Sequence, residues 1–317
     1  EFRYLSYLTN NFTYDWHCTR VMDIMERQMP ADGLFPLYYN QEVGAWASDE
    51  VSFGAMGDSF YEYLLKQWLF TGKQEARYWH MYNATLAGLM HHLVVRTPRR
   101  TYVAERRPDG KLHHKMDHLA CFIPGMLTLG AEGDAKVLEL AEEIVHTCVQ
   151  MYFQTVTGIS PESTLFEMDQ MLPQAKYYIL RPEVIESLFY LWRATRKNIY
   201  RDWGWQIFMN IKRHCQLETG GFSGVRDVTQ VPTVKTDSMS SFWLAETLKY
   251  LYLLLSDDSI LDLDQYILNT EAHVFRYIPP QYHHSGPRLT ATRKPNATPT
   301  HKQIPCPSRS CAPYPNP

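Results

Sequence analysis

The chain has 317 residues, 45% hydrophobic and 14% aromatic, enough apolar content for one large core or two modest ones and unlike a globally disordered chain. Its 31 basic and 34 acidic residues leave a formal charge of −3, which excludes a long-range field that would recruit nucleic acid or an anionic membrane surface. No apolar run approaches the roughly 20 residues that span a bilayer.

The opening Glu1-Phe2-Arg3-Tyr4-Leu5-Ser6-Tyr7 reads as one face of a helix rather than a signal peptide. A chain that starts in mid-helix without methionine is expected to be part of a longer protein, and membrane attachment is expected only through a segment outside this sequence. Further helices are predicted from Asp58 to Leu69, from Glu75 to Leu93 and from near Asp117, then at Pro182 and Phe242. Aromatic-rich helix starts at Glu1, Asp58, Asp117, Pro182 and Phe242 lie 57 to 65 residues apart. Within each unit a polar turn (Thr9 to Asn11, Thr71 to Lys73, Gly130 to Asp134, Thr195 to Asn198, Ser256 to Asp258) leads to a more amphipathic second helix, except in the last unit, where none is evident. Strand signals are confined to connectors: Asp32 to Pro36, Pro108 to Leu112 and Gly220 to Gly224 are each expected to form a small turn or hairpin.

A period of this length describes repeated helical hairpins. An open solenoid usually has shorter repeats, of about 33 to 47 residues, so the expected fold is all-α and closed into an α/α toroid. First helices would line its inside, second helices would cover it, and the starts of the inner helices would surround one mouth. The expected domain is 1–275, followed from 276 to 317 by a Pro-rich tail without hydrophobic period, which is expected to be disordered.

Six cysteines (Cys18, Cys121, Cys148, Cys215, Cys306, Cys311) lack CxxC or His partners at zinc spacing, leaving disulfides or core thiols. Cys18 and Cys215 fall in amphipathic helical stretches and are expected in the core. Three Asn-x-Ser/Thr sequons, at Asn11, Asn83 and Asn296, are compatible with a secretory route.

Chemistry gathers at the predicted mouth: Glu1, Asp58 with Glu62, Asp117 with His118, Arg181 with Glu183 and Glu186, and Glu246. An acid at a helix start ordinarily complements the macrodipole, for about 0.3–1 kcal/mol. A whole ring of them in one cavity raises one another's pKa unless a ligand or metal needs them. With Phe60, Phe122, Phe189, Phe242 and Trp243 as neighbours, the ring suits sugars, since acids bind hydroxyls and aromatic rings stack on pyranose faces.

Four segments carry a family likeness: Gly57-Asp58-Ser59-Phe60-Tyr61-Glu62-Tyr63-Leu64-Leu65-Lys66, Leu180-Arg181-Pro182-Glu183-Val184-Ile185-Glu186-Ser187, Phe242-Trp243-Leu244-Ala245-Glu246-Thr247-Leu248-Lys249-Tyr250-Leu251 and Asn269-Thr270-Glu271-Ala272-His273. In order and spacing, from Glu1 to about His273, they resemble class I α-1,2-mannosidases, glycoside hydrolase family 47. Glu1 to Thr9, His118 to Phe122 and Lys176 to Glu183 resemble the Golgi subgroup. The resemblance implies an (α/α)7 barrel, of which this chain would hold about four hairpins and one inner helix, since seven hairpins would take roughly 420 residues. It implies inverting hydrolysis of terminal α-1,2-mannose on high-mannose N-glycans, with bound Ca2+, in the secretory pathway. A monomer is expected.

By motif match, Glu183 corresponds to the general base and Asp58 to a second catalytic carboxylate; in inverting enzymes such groups lie roughly 6.5–9.5 Å apart. Thr270 matches the threonine that holds Ca2+ through its hydroxyl and carbonyl oxygens. Glu186, Glu246 and Glu271 match carboxylates around the metal waters and the terminal mannose, Phe242 matches an aromatic that stacks on the sugar, and Arg181, His118 and Glu1 match further substrate contacts. Cys121 and Cys148 match the family's disulfide, and a hairpin turning near Gly133 places them at similar height on antiparallel helices.

Two departures stand out. Ser240-Ser241-Phe242-Trp243 lacks the larger or acidic residue that commonly precedes this run in the family, and Val274-Phe275-Arg276 replaces a proline-rich closing segment. The segment that carries the family's general acid has no counterpart here, so this chain alone is expected to be inactive. A high-mannose glycan-binding protein that does not cleave is the alternative, and a helical interaction scaffold is a third reading.

Overall fold

The structure is a computed structural model and describes residues 1–278. Helices pair in sequence order: α1 (Phe2–Thr9) with α2 (Thr13–Arg27), α3 (Asp58–Phe70) with α4 (Ala76–Gly88), α5 (Ile123–Gly130) with α6 (Ala135–Phe153), and α7 (Glu183–Thr195) with α8 (Ile199–Cys215), followed by α9 (Leu248–Leu255). The first helices α3, α5, α7 and α9 pack side by side, and the second helices lie against them, with α6 also touching α7 and α8 touching α9. This is the expected hairpin repeat. Among the described residues the fifth unit shows no second helix; a short 3-10 turn at Asp258–Ile260 leads to a hairpin of β10 (Tyr266–Leu268) and β11 (Val274–Arg276).

Local chemistry explains the boundaries. α3 ends where Thr71 turns its hydroxyl back onto the carbonyls of Gln67 (2.9 Å) and Trp68 (3.1 Å), and Gly72 and Lys73 both adopt positive φ. α7 ends the same way, with Thr195 bonded to the Leu191 carbonyl at 2.7 Å and Arg196 in the left-handed region. The third unit starts as a 3-10 turn, His118–Phe122, before α5. Pro124 provides the reason, because it has no N–H to donate and is tolerated only in the first turn of a regular helix.

The connectors carry more strand than their turn residues alone predict: β1 (Tyr39–Asn40) pairs with β2 (Ala45–Trp46), and β3 (Val94–Arg96) with β4 (Thr101–Val103). Pro108 to Leu112 does link the hairpin of β5 (Glu105–Arg106) and β6 (Leu112–His113). A three-stranded antiparallel sheet of β7 (Lys115–Asp117), β8 (Ser163–Glu167) and β9 (Gln170–Pro173) was not foreseen. The segment Asp32 to Pro36 is a turn without strands; it docks on α4, with Gly33 at φ 72, and a Cβ there would fall 2.3 Å from the Ala84 carbonyl oxygen.

One apolar core runs through the inner helices, including Leu64, Leu65, Leu188, Phe189, Tyr250 and Leu254, and extends onto α6 at Ile144, each 1% exposed or less. A fully buried side chain of this size is worth roughly 1.5–3 kcal/mol. Phe53 stacks on Tyr61 at 3.9 Å and Trp68 on Trp79 at 4.1 Å. By contrast α2 has no buried residue, so Cys18 is only half-buried rather than in the core, whereas Cys215 is buried as expected.

Cys121 and Cys148 form a disulfide that joins the start of the third unit to α6 across 27 residues of sequence. Closing a loop of that size is worth on the order of 3–4 kcal/mol in the chain-entropy model. Reduction, or a Cys121→Ala/Cys148→Ala double substitution, is therefore expected to lower the unfolding free energy by about 2–4 kcal/mol in urea titration; an unchanged midpoint would contradict this.

The fold also runs past the expected domain end at 275. Arg276 pairs with Tyr266, the Tyr277 hydroxyl donates to the Leu263 carbonyl at 3.0 Å, and the buried Ile278 donates its N–H to Phe70. Pairing with β10 supplies this order, which no hydrophobic period within the segment announces. The rest of the expected tail, with Cys306, Cys311 and Asn296, lies outside the described residues.

Candidate active site

The predicted site residues sit at the starts of α1, α3 and α7, at the 3-10 turn before α5 (His118), in a π-helical turn, Trp243–Thr247, that runs from Phe242 into α9, and in the β10–β11 turn. Each is set by local backbone. Non-glycine residues with positive φ stand beside three of these segments: Met56 (φ 71) before Asp58, Leu180 (φ 73) before Arg181, and Ala272 (φ 57) after Glu271. Such conformations are held only where surrounding structure enforces them. For Leu180 the side chain is fully buried, and the Thr247 hydroxyl donates to its carbonyl at 2.7 Å.

Glu183, the first residue of α7, is buried. Its Oε2 lies 2.7 Å from His118 Nδ1 and its Oε1 lies 3.5 Å from Arg181 Nη1. Burial pushes this carboxyl up, but the hydrogen bond and charge of His118, with the charge of Arg181, hold it below the ordinary glutamate range, so it is ionised at neutral pH. His118 has no exposed surface, and its Nε2 faces the Tyr152 hydroxyl at 2.7 Å. The expected direct contact of His118 with substrate is thus corrected: both nitrogens are engaged inside the protein, and it can act on a ligand only through Glu183. Arg181 is oriented by Glu162, whose two oxygens each accept from Nε at 2.9 Å, and it lies 5.7 Å from the centre of the Phe242 ring.

Beneath them Lys66, Glu62 and Glu186 form a buried cluster. Lys66 is hydrogen-bonded to Glu62 and lies 3.8 Å from Glu186, which also accepts from the Tyr250 hydroxyl at 3.1 Å. Burial opposes the Lys66 charge, yet Glu62 and Glu186 hold its pKa above the usual lysine range. Burial raises Glu186 to about 8; Lys66 pulls against this, and Glu62 adds to it. Asp58 is raised too, chiefly by burial, with Glu183 and Glu62 adding to it against a hydrogen bond from the Ser59 N–H.

Glu246 is pushed up to about 8 by burial and by the charges of Glu183, Glu271 and Glu62. The folded state thus binds this proton more tightly than the unfolded chain. Its stabilising contribution is complete below the ordinary glutamate range and is lost as pH rises through about 8. In the presence of a chelator, Glu246→Gln is expected to lose less thermal stability than the parent between about pH 5 and about pH 8.5. Circular dichroism melts at both pH values check this, and equal losses would contradict it.

Thr270 is half-buried; its N–H donates to the Tyr63 hydroxyl at 3.3 Å, while its side-chain and carbonyl oxygens make no hydrogen bond among the described residues. Glu1 accepts from Tyr63 at 2.8 Å and from Asn269 Nδ2 at 2.6 Å, so the first residue is tied to the Thr270 turn. Glu271 is exposed. Among the described residues no group of three or more His, Cys, Asp or Glu side chains could by itself hold a metal. The Thr270 hydroxyl and carbonyl and the adjoining Glu271 carboxylate are oxygen donors of the hard kind that Ca2+ takes.

The aromatic neighbours divide. Phe60 and Phe242 are half-buried and can offer a face, whereas Phe122, Phe189 and Trp243 are core residues, Trp243 packing on Phe222 at 4.6 Å. Sequence reading missed Glu162, Tyr152, Asn269 and Lys66 as partners. Only Lys66, four residues after Glu62 on one helix, carried a signal.

The profile of glycosyl hydrolase family 47 matches residues 1–277. The chain is 43% identical to mannosyl-oligosaccharide 1,2-alpha-mannosidase IB of Mus musculus over 86% of this chain and 44% of that protein. It is 41% identical to mannosyl-oligosaccharide alpha-1,2-mannosidase IA of Drosophila melanogaster, over 86% of this chain and 42% of that one. The chain therefore spans less than half the length of these relatives. Among solved structures it is similar to an alpha-1,2-mannosidase from Trichoderma reesei, with TM-score 0.83 and 26% identity, covering 87% of this chain and 64% of that one.

Proposed function

We propose, from the premise that this chain belongs to glycosyl hydrolase family 47, that the full-length protein hydrolyses terminal α-1,2-linked mannose from high-mannose N-glycans with inversion. The observation that carries this reading is the buried Glu183, held ionised by His118 and Arg181 beside carboxylates raised toward neutrality. Pairs of acids pushed apart in pKa are what acid–base chemistry on a glycosidic bond requires.

In this reading Glu183 takes a proton from a water whose oxygen bonds to the anomeric carbon, while the bond from that carbon to the departing 2-oxygen breaks. Asp58 acts through water on the departing side, and the reading requires the two carboxylates to lie roughly 6.5–9.5 Å apart, the range for inverting enzymes. The acid that protonates the departing oxygen is supplied by a segment outside this chain. Arg181, Glu1, Glu186, Glu246 and Glu271 bind sugar hydroxyls or the metal's waters, and Phe242 stacks on the ring. Thr270 would hold Ca2+, which when bound orients sugar hydroxyls and offsets the crowded carboxylates.

The relatives' printed names, mannosyl-oligosaccharide 1,2-alpha-mannosidases, support the substrate class. The Cys121–Cys148 disulfide supports an oxidising compartment, and we place the protein in the secretory pathway, specifically the Golgi by subgroup likeness, as a monomer. No helix among the described residues is long and apolar enough to cross a membrane.

Release of free mannose from an oligomannose glycan by the full-length protein, with and without a chelator, tests the reading. Release that the chelator abolishes is expected. Chelator-insensitive release would remove the calcium role, and binding of the glycan without release would favour a lectin-like protein.

A further inference from the structure

We infer that Asn11 is a modification site that carries an N-linked oligosaccharide. The turn between α1 and α2 presents Asn11-Phe12-Thr13 with all three residues exposed. Asn10 leaves α1 in the left-handed conformation (φ 53), which lifts the tripeptide off the helix end. Asn11 Oδ1 accepts the Thr13 N–H at 3.1 Å. That bond engages the amide oxygen and not Nδ2, and the exposure of Asn11 and Thr13 leaves the sequon open to an incoming sugar.

The sequon at Asn83 is placed differently. It lies within α4, and residues two apart on a helix do not face each other. Its Thr85 is 1% exposed and donates its hydroxyl to the Gly33 carbonyl at 2.9 Å, fastening the docked turn to α4. The acceptor amide and hydroxyl of this sequon are thus separated in the folded chain, and the hydroxyl has a structural use. Asn296 lies outside the described residues.

The Cys121–Cys148 disulfide is an independent indication of the compartment, since such bonds persist along the oxidising secretory route where asparagine glycosylation also occurs. The co-reactant is a polyprenyl-diphosphate-linked oligosaccharide. Asn11 Nδ2 loses a proton and bonds to the anomeric carbon of the first sugar, and the sugar–phosphate C–O bond breaks, the electron pair leaving on the polyprenyl diphosphate. No oxidant or reductant is involved.

Glu1, tied to the site through Tyr63 and Asn269, precedes α1, and Asn11 follows its other end. A helix of eight residues is about 12 Å long, so the glycan grows from the end of α1 opposite the candidate site and does not compete with substrate. It also stands beside Leu8 and Phe12, 63% and 45% exposed.

The experiment expresses the full-length protein through a eukaryotic secretory route, releases N-glycans with a peptide N-glycosidase in oxygen-18 water, and maps peptides by mass spectrometry. Oxygen-18 incorporation at Asn11 is expected, with one mobility step lost in Asn11→Gln and in Thr13→Ala but kept in Thr13→Ser. Mannose release should be the same in Asn11→Gln as in the parent. An Asn11 peptide recovered wholly unmodified, or a mobility pattern unaltered by Asn11→Gln, overturns the proposal whatever is found at Asn83 or Asn296.

Discussion

Replacing Glu183 with glutamine is expected to lower mannose release by the full-length protein by roughly 10²–10⁴-fold, the usual contribution of a positioned general base. Glutamine keeps the shape and can still accept from His118 Nδ1, so the loss would report chemistry rather than collapse of the site. The comparison variant is His118→Ala. His118 touches no solvent and works by positioning, through its 2.7 Å contacts to Glu183 and Tyr152. Its removal takes away the first of the interactions that lower the Glu183 carboxyl. The Glu183 pKa would rise, and because the base must be ionised, the acid limb of the rate–pH profile should move to higher pH. His118→Ala should therefore lose activity most at low pH, whereas Glu183→Gln should be slow throughout. A Glu183→Gln protein with near-parental rate would remove Glu183 as base, and an unmoved acid limb in His118→Ala would remove the positioning role.

Lys66→Met is expected to destabilise the chain by about 3–5 kcal/mol, the range for breaking a buried ion pair from one side. Methionine fits the space of the lysine stem, but it leaves Glu62 and Glu186 buried together without a cation, and Tyr250 supplies only one hydrogen bond. Glu186, already raised to about 8, would lose the Lys66 charge that pulls it down and would hold a proton in the folded state to higher pH still. Stability held by such protonation is present at low pH and lost as pH rises through the raised value. The deficit of Lys66→Met should accordingly shrink between about pH 8 and about pH 5, and adding Glu62→Gln should recover part of it at neutral pH. Urea titrations of the parent, single and double variants decide this. A deficit independent of pH would mean that Lys66 matters for packing rather than charge.

Much of the repeat was legible because helix periodicity and turn residues are local properties. Asp58, Pro182 and Phe242 each stand within a residue of a helical start, and the turns at Thr71 and Thr195 end helices through hydroxyl-to-carbonyl bonds that the residue types permit. The sheet of β7, β8 and β9 was not legible in the same way. Lys115–Asp117 and Ser163–Glu167 are 46 residues apart and become strands by pairing with each other. Cys18 was misread for a related reason: amphipathic pattern shows that a helix can bury a face, not that a neighbour covers it.

At the candidate site the division is similar. The sequence by itself determined which residue types stand at the helix starts, and the order of its motifs identified the family. Only the tertiary structure decided roles within the set. It withdrew His118 behind Glu183, separated the half-buried Phe242 from the core residue Trp243, brought Glu162 to Arg181, and set Lys66 between two buried carboxylates. Burial and charge pairing are relations between segments distant in sequence. For that reason one residue type, glutamate, is held ionised at position 183 and raised to about 8 at positions 186 and 246.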